Sequence, residues 1–432
     1  MENMFRGSFP SAIKRIQSDL VKVYENELKV WQEAKRTSQH ENVNIVKLFT
    51  WIPRVEGDGE RKFYFAMELA KCDLGKRIKT INRLDGIHCS VEKEIEREKI
   101  AEFIHDAAKG LGWLHTSGIL HRDIKPENIL IFDKVQNSSS SRSGHGEMAK
   151  LGDFGVSRIL SGSSTGTNSI GKGTSDWMAP EALISLRDQQ EFYSTKAIDI
   201  FSLGMTSHFA LTLGIHPFGH SGAFTNMNII DKNTCPSKIG APDYAASHLF
   251  QWKMEKEPKN RPRIQQVIRH PYFWDWKESL QFLVDVGRCL YDKIGYNLIK
   301  IRMKIDQTYL ERMLFLQQNP NWKSKMSRRR LELLMQRKSN GSKHYGGESV
   351  MMLVELIRDK HMHPTDVVDE LLSEEVFGEG GSLSEEKYIK YFLAIFPDLV
   401  IFLFCMLGNE TGQCVDILRR RYFREFEKVP LI

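Results

Sequence analysis

The feature that most constrains this chain is an ordered trio of short segments: HRDIKPENIL at 121–130, LGDFGVSR at 151–158 and WMAPEAL at 177–183. One such segment could arise by chance; three in order and at these spacings do not. The chain is 432 residues long, more than one ordinary core holds, so two domains are expected. Hydrophobic residues at 41% and charged residues at 27% lie near the globular average, which argues against a disordered, fibrous or membrane-embedded class.

The order and spacing of the trio resemble the protein-kinase signature set. Phosphoryl transfer needs a carboxylate to accept the hydroxyl proton, and the resemblance gives that role to Asp123. It gives Lys125 the neutralising of charge on the moving phosphate, and Asn128 and Asp153 the holding of metal ions. ATP or ADP with Mg2+ is the implied cofactor. Upstream, Lys14 in SAIK matches the strand lysine that reaches the phosphates, and Glu27 in ENELKVW is its expected helix partner, with Glu25 and Glu33 as rivals. FAMELA at 65–70 reads as the hinge, with Met67 as gatekeeper and the backbone of Glu68 and Ala70 meeting adenine. Asp199 resembles the aspartate that braces the catalytic loop, and Arg261 the arginine that pairs with Glu181. One departure stands out. Thirteen residues precede Lys14, with Gly7 alone among them as glycine, so the Gly-rich strand-turn-strand over the phosphates is absent from the sequence.

Along the chain, the stretch to about Leu84 mixes short apolar runs with one amphipathic segment, as expected for a small sheet-plus-helix lobe. From Val91 onward helical periodicity dominates. QNSSSSRSGHG at 136–146 reads as a flexible surface loop, and RHPYFWDW at 269–276 closes the first domain with aromatic bulk. The remainder is almost wholly helical in pattern, with loops marked by NPNW, SNGSKHYGG and FGEGGS.

A second constellation lies in YGGESVMMLVELIRDKHMH, 345–363. Val350, Leu353, Val354 and Ile357 fall at i, i+3, i+4 and i+7, so one stripe of a helix faces a core and the other residues face out. Arg358, Asp359 and His363 then gather near the helix end, with Asp359 and His363 four apart and neighbours on one face. Tyr345 precedes a Gly-Gly turn that can fold it back over the helix. On the residues alone, a capped helix end and a catalytic cluster both fit.

A kinase-like domain ending in HPYFW, then a helical domain with Trp322, Tyr345, Gly-Gly, Ser-Val, an apolar helix and His363, resembles the kinase-extension nuclease (KEN) family. That family comprises the inositol-requiring-enzyme type of unfolded-protein-response sensors and RNase L. IFPDLVIF at 395–402 is more like RNase L, but the retained DFG departs from its pseudokinase. The resemblance implies an α+β protein: a bilobal kinase-like domain with a truncated N-lobe over 1–274 and an all-α KEN ribonuclease domain over 275–432. It implies catalytic Tyr345, Arg358 and His363, cleaving RNA without a metal by attack of the RNA's own 2′-hydroxyl. Position 359 is asparagine in the family and aspartate here, and an arginine expected before the tyrosine falls at Gly341, with Lys343 and Arg337 as substitutes. Both departures bear on rate. RNA, adenine nucleotide and a second copy of the chain are the implied partners. An RNase L-like ribonuclease on a nucleotide-binding pseudokinase scaffold, or a catalytically weak RNA-binding regulator, are the alternatives.

Lys and Arg number 61 and Asp and Glu 55, a formal charge of +6 that permits phosphate contact without requiring it. The basic runs KSKMSRRR, QRKSNGSK and RRRYF are either solvated helix faces or an RNA-backbone surface. Six scattered cysteines without a CxxC pair point to free thiols in a reducing compartment. The apolar run LVIFLFCML is too short to cross a bilayer and reads as buried core. A cytoplasmic location is expected, or the cytosolic face of the endoplasmic reticulum if the native chain is longer, with any membrane contact made through a sensor region outside this sequence.

Overall fold

The computed structural model describes residues 11–16, 21–37, 44–55, 61–83, 89–134, 146–160, 166–219, 223–231, 233–234, 236, 243–291, 296–335, 345–363, 384–410, 415–426 and 429–430. The chain divides into two compact units, one of Met1–Gly240 with Leu249–Ile268 and one of Ala241–His248 with Arg269–Ile432. The Ser-rich segment at 136–145, the substitutes Arg337 and Lys343, Gly341 and the FGEGGS turn lie outside the described residues.

The first unit opens on a three-stranded antiparallel sheet of β1 (Ser11–Ile16), β2 (Leu48–Val55) and β3 (Arg61–Glu68), in the order β1-β3-β2. Helix α1 (Val21–Thr37) crosses between β1 and β2, and the amphipathic segment read from the sequence forms it. Then come β4 (Cys72–Asp73), α2 (Leu74–Asn82) and the long α3 (Cys89–Thr116). The stretch after Val91 is not helical throughout. β5 (Ile119–Leu120) pairs with β8 (Arg158–Ile159), β6 (Ile129–Asp133) with β7 (Glu147–Leu151) and β4, and β9 (Gly166–Ser169) with β10 (Phe192–Thr195). Strands of two to five residues are too short to print a period of two on the sequence. Helices α4 (Pro180–Asp188), α5 (Ala197–Leu211), α6 (Ala223–Ile230), α7 (Tyr244–Lys253) and α8 (Ile264–Ile268) follow. α5 is buried along nearly its whole length, which is why it reads as apolar without a polar face.

The second unit is helical: α9 (Trp276–Tyr291), α10 (Tyr296–Phe315), α11 (Arg328–Met335), α12 (Val350–Met362), α13 (Glu385–Ile395), α14 (Leu399–Gly408) and α15 (Asp416–Tyr422). Trp274 packs edge-on to Phe282 at 5.2 Å and to Phe404 at 5.7 Å between ring centres, so the aromatic run before α9 anchors this unit's core. Such pairs add roughly 0.5–1.5 kcal/mol each beyond the area they bury. LVIFLFCML is the buried helix α14. Among the described residues no single helix is long and apolar enough to cross a membrane. Cys72, Cys289 and Cys405 are not joined in disulfides.

Candidate active sites

The first site is assembled from β1, α1, β3 and the turns around β6 and β7. Lys14 projects from the central part of β1 and donates from Nζ to Oε2 of Glu27 at 2.9 Å, to Oε1 at 3.1 Å and to Oδ1 of Asp153 at 2.9 Å. Of the three glutamates considered for α1, Glu27 is the one that reaches Lys14. Asn26, its neighbour, donates to the carbonyl of Ser157 at 2.7 Å and ties α1 to the segment after Asp153. Phe154 is fully buried and edge-on to Trp31, with ring centres 4.9 Å apart.

Burial alone would lower the Lys14 ammonium, but the two carboxylates outweigh it and hold Lys14 above its usual range. Glu27 shares that lysine with Asp153, so burial wins and pushes its carboxyl up. Asp153 goes the other way: burial opposes its charge, but Lys14 holds it below the ordinary range.

The catalytic loop is braced from beneath. Oδ2 of buried Asp199 accepts from the backbone of His121 at 2.9 Å, and Oδ1 accepts from the backbone of Arg122 at 2.7 Å. Arg122 and Asp153 both adopt left-handed backbone, φ 68° and 63°, conformations that persist only where neighbours over-determine them. Arg261 forks onto Glu181 at 2.7 and 2.9 Å.

Around Asp123 the bonds close into a ring. Its Oδ2 accepts from Lys125 Nζ at 2.8 Å and from Asn128 at 3.0 Å; its Oδ1 accepts from the amide and the hydroxyl of Thr174, each at 2.8 Å. Lys125 also donates to the Thr174 hydroxyl at 2.6 Å. Burial would raise the Asp123 carboxyl, but Lys125 and Thr174 together hold it below its usual range, so it is ionised at neutral pH. Thr174 was not singled out from the sequence. Its signal was the Gly173-Thr174 pair just upstream of Ala179-Pro180-Glu181. Gly173 has φ +122°, and a Cβ there would meet the carbonyl of Arg122 at 2.3 Å, so only glycine lets this loop come close enough to place Thr174 on Asp123.

The seven residues expected to hold nucleotide, Lys14, Glu27, Met67, Glu68, Ala70, Asn128 and Asp153, all line one cavity of about 380 Å3. The Glu68 side chain is fixed by Lys150, 2.8 Å from both carboxylate oxygens, and by the Lys47 amide at 2.7 Å. Asn128 spends its NH2 on Asp123, which leaves its amide oxygen as a ligand, and Asp153 is ionised beside it. Hard oxygen donors of this kind suit Mg2+ on nucleotide phosphates, so the residues fit the group.

The second site is built on α12. Ser349 caps its N-terminus by accepting from the Met352 amide at 3.1 Å, and donates to Asp306 of α10 at 2.7 Å. Val350, Leu353, Val354 and Ile357 are fully buried, but so are Met351 and Leu356, and Asp359 and Lys360 are buried as well. The expectation that the other residues face out is therefore corrected: α9, α10 and α13 pack around α12, and one stripe undercounts its faces.

Asp359 is correspondingly not a surface carboxylate. Its Oδ2 accepts from the Tyr345 hydroxyl at 2.9 Å, and its Oδ1 from Arg358 Nη2 at 2.9 Å and Nε at 3.2 Å. Arg358 Nη1 donates to the carbonyl of Gly287 on α9 at 3.1 Å. A Cβ at position 287 would lie 3.0 Å from the Arg358 side chain, so the glycine admits the arginine. Tyr345 is 1% exposed; the turn at Gly346 is held by Trp322 Nε1 on the Gly346 carbonyl at 3.0 Å, which folds the tyrosine back over the helix. Tyr388 of α13 donates to the Ile357 carbonyl, and burial, with Asp359 adding, drives its phenol far up.

His363 stands apart from this knot. α12 ends at Met362, and His363 is the exposed C-cap, with φ −132° and ψ 64°. Its bond to Asp359 runs through backbone, His363 N–H to Asp359 C=O at 2.9 Å, so the expected side-chain pairing of the two does not form. The structure thus joins Tyr345, Asp359 and Arg358 and sets His363 at the rim.

The first unit thus holds a kinase-type ring of bonds around Asp123, and the second, helical unit a polar knot of Tyr345, Asp359 and Arg358. The protein kinase domain family matches residues 8–273 and the ribonuclease 2-5A family residues 280–422. The chain belongs to the protein-kinase family, in the branch that carries the ribonuclease 2-5A (KEN) extension. It is 31% identical over 314 residues to the serine/threonine-protein kinase/endoribonuclease IRE1b of Arabidopsis thaliana, covering 71% of this chain and 32% of that protein. It is 27% identical over 438 aligned positions to the serine/threonine-protein kinase/endoribonuclease ire-1 of Caenorhabditis elegans, covering 98% and 39%. With the sensor for unfolded proteins in the ER ire1 of Schizosaccharomyces pombe it shares 28% over 305 residues, 66% and 26% of the two chains. The chain spans between 26% and 39% of the length of these relatives.

Proposed function

We propose that the chain is a serine/threonine protein kinase over 1–274 joined to a metal-independent endoribonuclease over 275–432. In the kinase, Glu27 fixes Lys14 for the nucleotide phosphates, Asn128 and Asp153 hold Mg2+, and the hinge at Met67, Glu68 and Ala70 seats the adenine. Asp123, kept ionised, accepts the proton of the substrate hydroxyl, while Lys125 offsets phosphate charge. Bound ATP with Mg2+ supplies the phosphoryl group. The closed ring of Asp123, Lys125 and Thr174 supports this half.

In the nuclease, the 2′-oxygen of RNA attacks the adjacent phosphorus, the bond to the 5′-oxygen breaks, and the products are a 2′,3′-cyclic phosphate and a 5′-hydroxyl. The imidazole of His363 exchanges the protons, because histidine is the side chain suited to both directions near neutrality. Tyr345 supplies the complementary hydroxyl and Arg358 the guanidinium, both set in place by Asp359. The observation that carries this half is the chain of bonds from Tyr345 through Asp359 to Arg358, ending one turn from His363. Nucleotide-linked pairing of two copies would set two nuclease units together, as the kinship with the kinase/endoribonucleases suggests. A response to unfolded proteins in the endoplasmic reticulum is the setting that the name of the Schizosaccharomyces pombe relative suggests for this RNA cleavage.

Two substitutions test the reading. His363→Asn loses on the order of a hundredfold or more in cleavage of a stem-loop RNA, the scale of a removed general acid or base. Asp123→Asn loses self-phosphorylation of SRILSGSSTGTNSIGKGT at 157–174, the hydroxyl-rich segment between Asp-Phe-Gly and Ala-Pro-Glu where kinase activation loops carry phosphate. Wild-type cleavage by the first variant or wild-type phosphate in the second contradicts the corresponding half.

A further inference from the structure

The nuclease reading leaves one requirement unmet by the residues assigned to it. RNA cleavage builds negative charge on the phosphate, and a cation must face it. Arg358 is poorly placed to be that cation alone. Two of its nitrogens bond Asp359 Oδ1, at 2.9 and 3.2 Å, and a third bonds the Gly287 carbonyl at 3.1 Å. The guanidinium and the carboxylate cancel in charge, and the geometry of both is taken up.

Next to Gly287 on α9 stands Arg288. It is exposed, and its Nη2 lies 3.4 Å from the sulfur of Met362, the residue before His363. A thioether is a weak acceptor, and no described carboxylate lies within ion-pair distance of Arg288. Among the described residues, then, a guanidinium without a carboxylate partner is held at the end of α12 where His363 emerges. His361 lies on the same last turn. Its Nδ1 is buried without a hydrogen-bond partner among the described residues, and its Nε2 is 3.7 Å from Glu385. Burial lowers the His361 imidazole, Glu385 opposes that, and Arg288 adds a smaller push downward, so the field of Arg288 reaches that turn.

We infer that Arg288 binds an RNA backbone phosphate at the nuclease site, supplying the free positive charge that Arg358 has surrendered to Asp359. The inference rests on reading the end of α12 as the nuclease site. The ligand chemistry is a phosphodiester, a single charge met by a planar fork of donors. A lysine here would keep the charge and lose the fork.

The test compares Arg288→Gln, Arg288→Lys and His363→Asn with the wild-type chain, cleaving one stem-loop RNA across a salt series of about 50 to 200 mM. Arg288 is exposed, so its variants fold as the wild type does, which melting checks. Arg288→Gln raises KM about tenfold, with log KM against log salt shallower by about 0.7, the contribution of one phosphate contact on a single strand. Arg288→Lys keeps the salt slope and part of the affinity. If Arg288→Gln retains the wild-type KM and slope while His363→Asn is inactive, Arg288 is not a phosphate contact and the nuclease reading stands. A slope that falls equally in Arg288→Lys marks a structural role and also overturns the proposal. Full cleavage by all three variants removes both the proposal and the site it rests on.

Discussion

The hydroxyl of Tyr345 donates to Oδ2 of Asp359 across 2.9 Å, with both side chains buried. The same carboxylate neutralises Arg358. Asp359 therefore withholds two things a phosphodiester cleavage site uses, a proton and a positive charge.

Asp359→Asn should release both. With the amide oxygen kept toward Arg358, the new NH2 donates to the Tyr345 oxygen, and the Tyr345 O–H loses Asp359 as its acceptor. Arg358 regains net charge and Tyr345 regains a proton to give. We predict that kcat/KM for RNA cleavage rises by about tenfold, or ~1.4 kcal/mol of barrier. Asp359→Leu, by contrast, takes the acceptor from the buried Tyr345 hydroxyl and the carboxylate from half-buried Arg358, and costs about 1–3 kcal/mol of stability. An asparagine variant that no longer cuts RNA would show that the carboxylate itself acts in the reaction.

Thr174→Ala should disable the kinase without unfolding it. The hydroxyl accepts from Lys125 at 2.6 Å and donates to Asp123 at 2.8 Å, so its loss removes one tether from each and lets the pair shift within the bonds that remain. A displacement of about 1 Å at a catalytic group costs on the order of a hundredfold. Phosphate incorporation, counted by mass spectrometry, should fall to near background in Thr174→Ala and persist in Thr174→Ser. Equal incorporation in both would make the ring ornamental.

How far these sites could be read from the sequence depended on what kind of signal each residue leaves. Asp123, Lys125, Asn128 and Asp153 sit in segments whose order alone announces them, and the stripe of Val350, Leu353, Val354 and Ile357 forecast a core-facing helix. Asp359 was misplaced because a charged residue on a helix face is read as solvated, and no local pattern reports that α9, α10 and α13 enclose that face. His363 was paired with Asp359 by helical spacing, but the helix stops one residue earlier and the spacing no longer holds. Arg288 and Thr174 matter through contacts across 74 and 51 positions of chain, which periodicity does not encode.

Nucleotide should stabilise the kinase unit measurably. At a free concentration about 100 times the dissociation constant, a ligand selective for the folded state adds about 2.7 kcal/mol. Melting with Mg-ATP should show that shift in the wild type and lose most of it in Lys14→Met, since Lys14 faces the cavity. No shift in the wild type would mean the cavity does not take the nucleotide.

Lys253 gives a test of stability against pH. It is completely buried, donates to Ser207 at 2.8 Å and lies 4.4 Å from the Phe250 ring centre, and burial pulls its ammonium well below the ordinary value. An unfolded lysine titrates near ~10.4. Between the depressed folded value and that one, the unfolded chain holds the extra proton, so stability rises with pH and the destabilisation is complete below the folded value. Lys253→Met should raise the kinase unit's stability at neutral pH by about 1–3 kcal/mol, with the gain shrinking toward pH ~10. A gain that does not change with pH would show that burial does not depress the lysine, which then keeps its proton in the fold as it does in the unfolded chain.

The most direct measurement concerns the RNA ends. Incubated with a stem-loop RNA in excess EDTA, the wild-type chain should cut and leave 2′,3′-cyclic phosphates, and should fail to cut the same RNA carrying a single 2′-deoxynucleotide at the scissile position. His363→Asn should leave no cyclic ends above background. Cleavage that requires Mg2+, that proceeds through the 2′-deoxy position, or that survives unchanged in His363→Asn would contradict the assignment of the α12 end as the ribonuclease site.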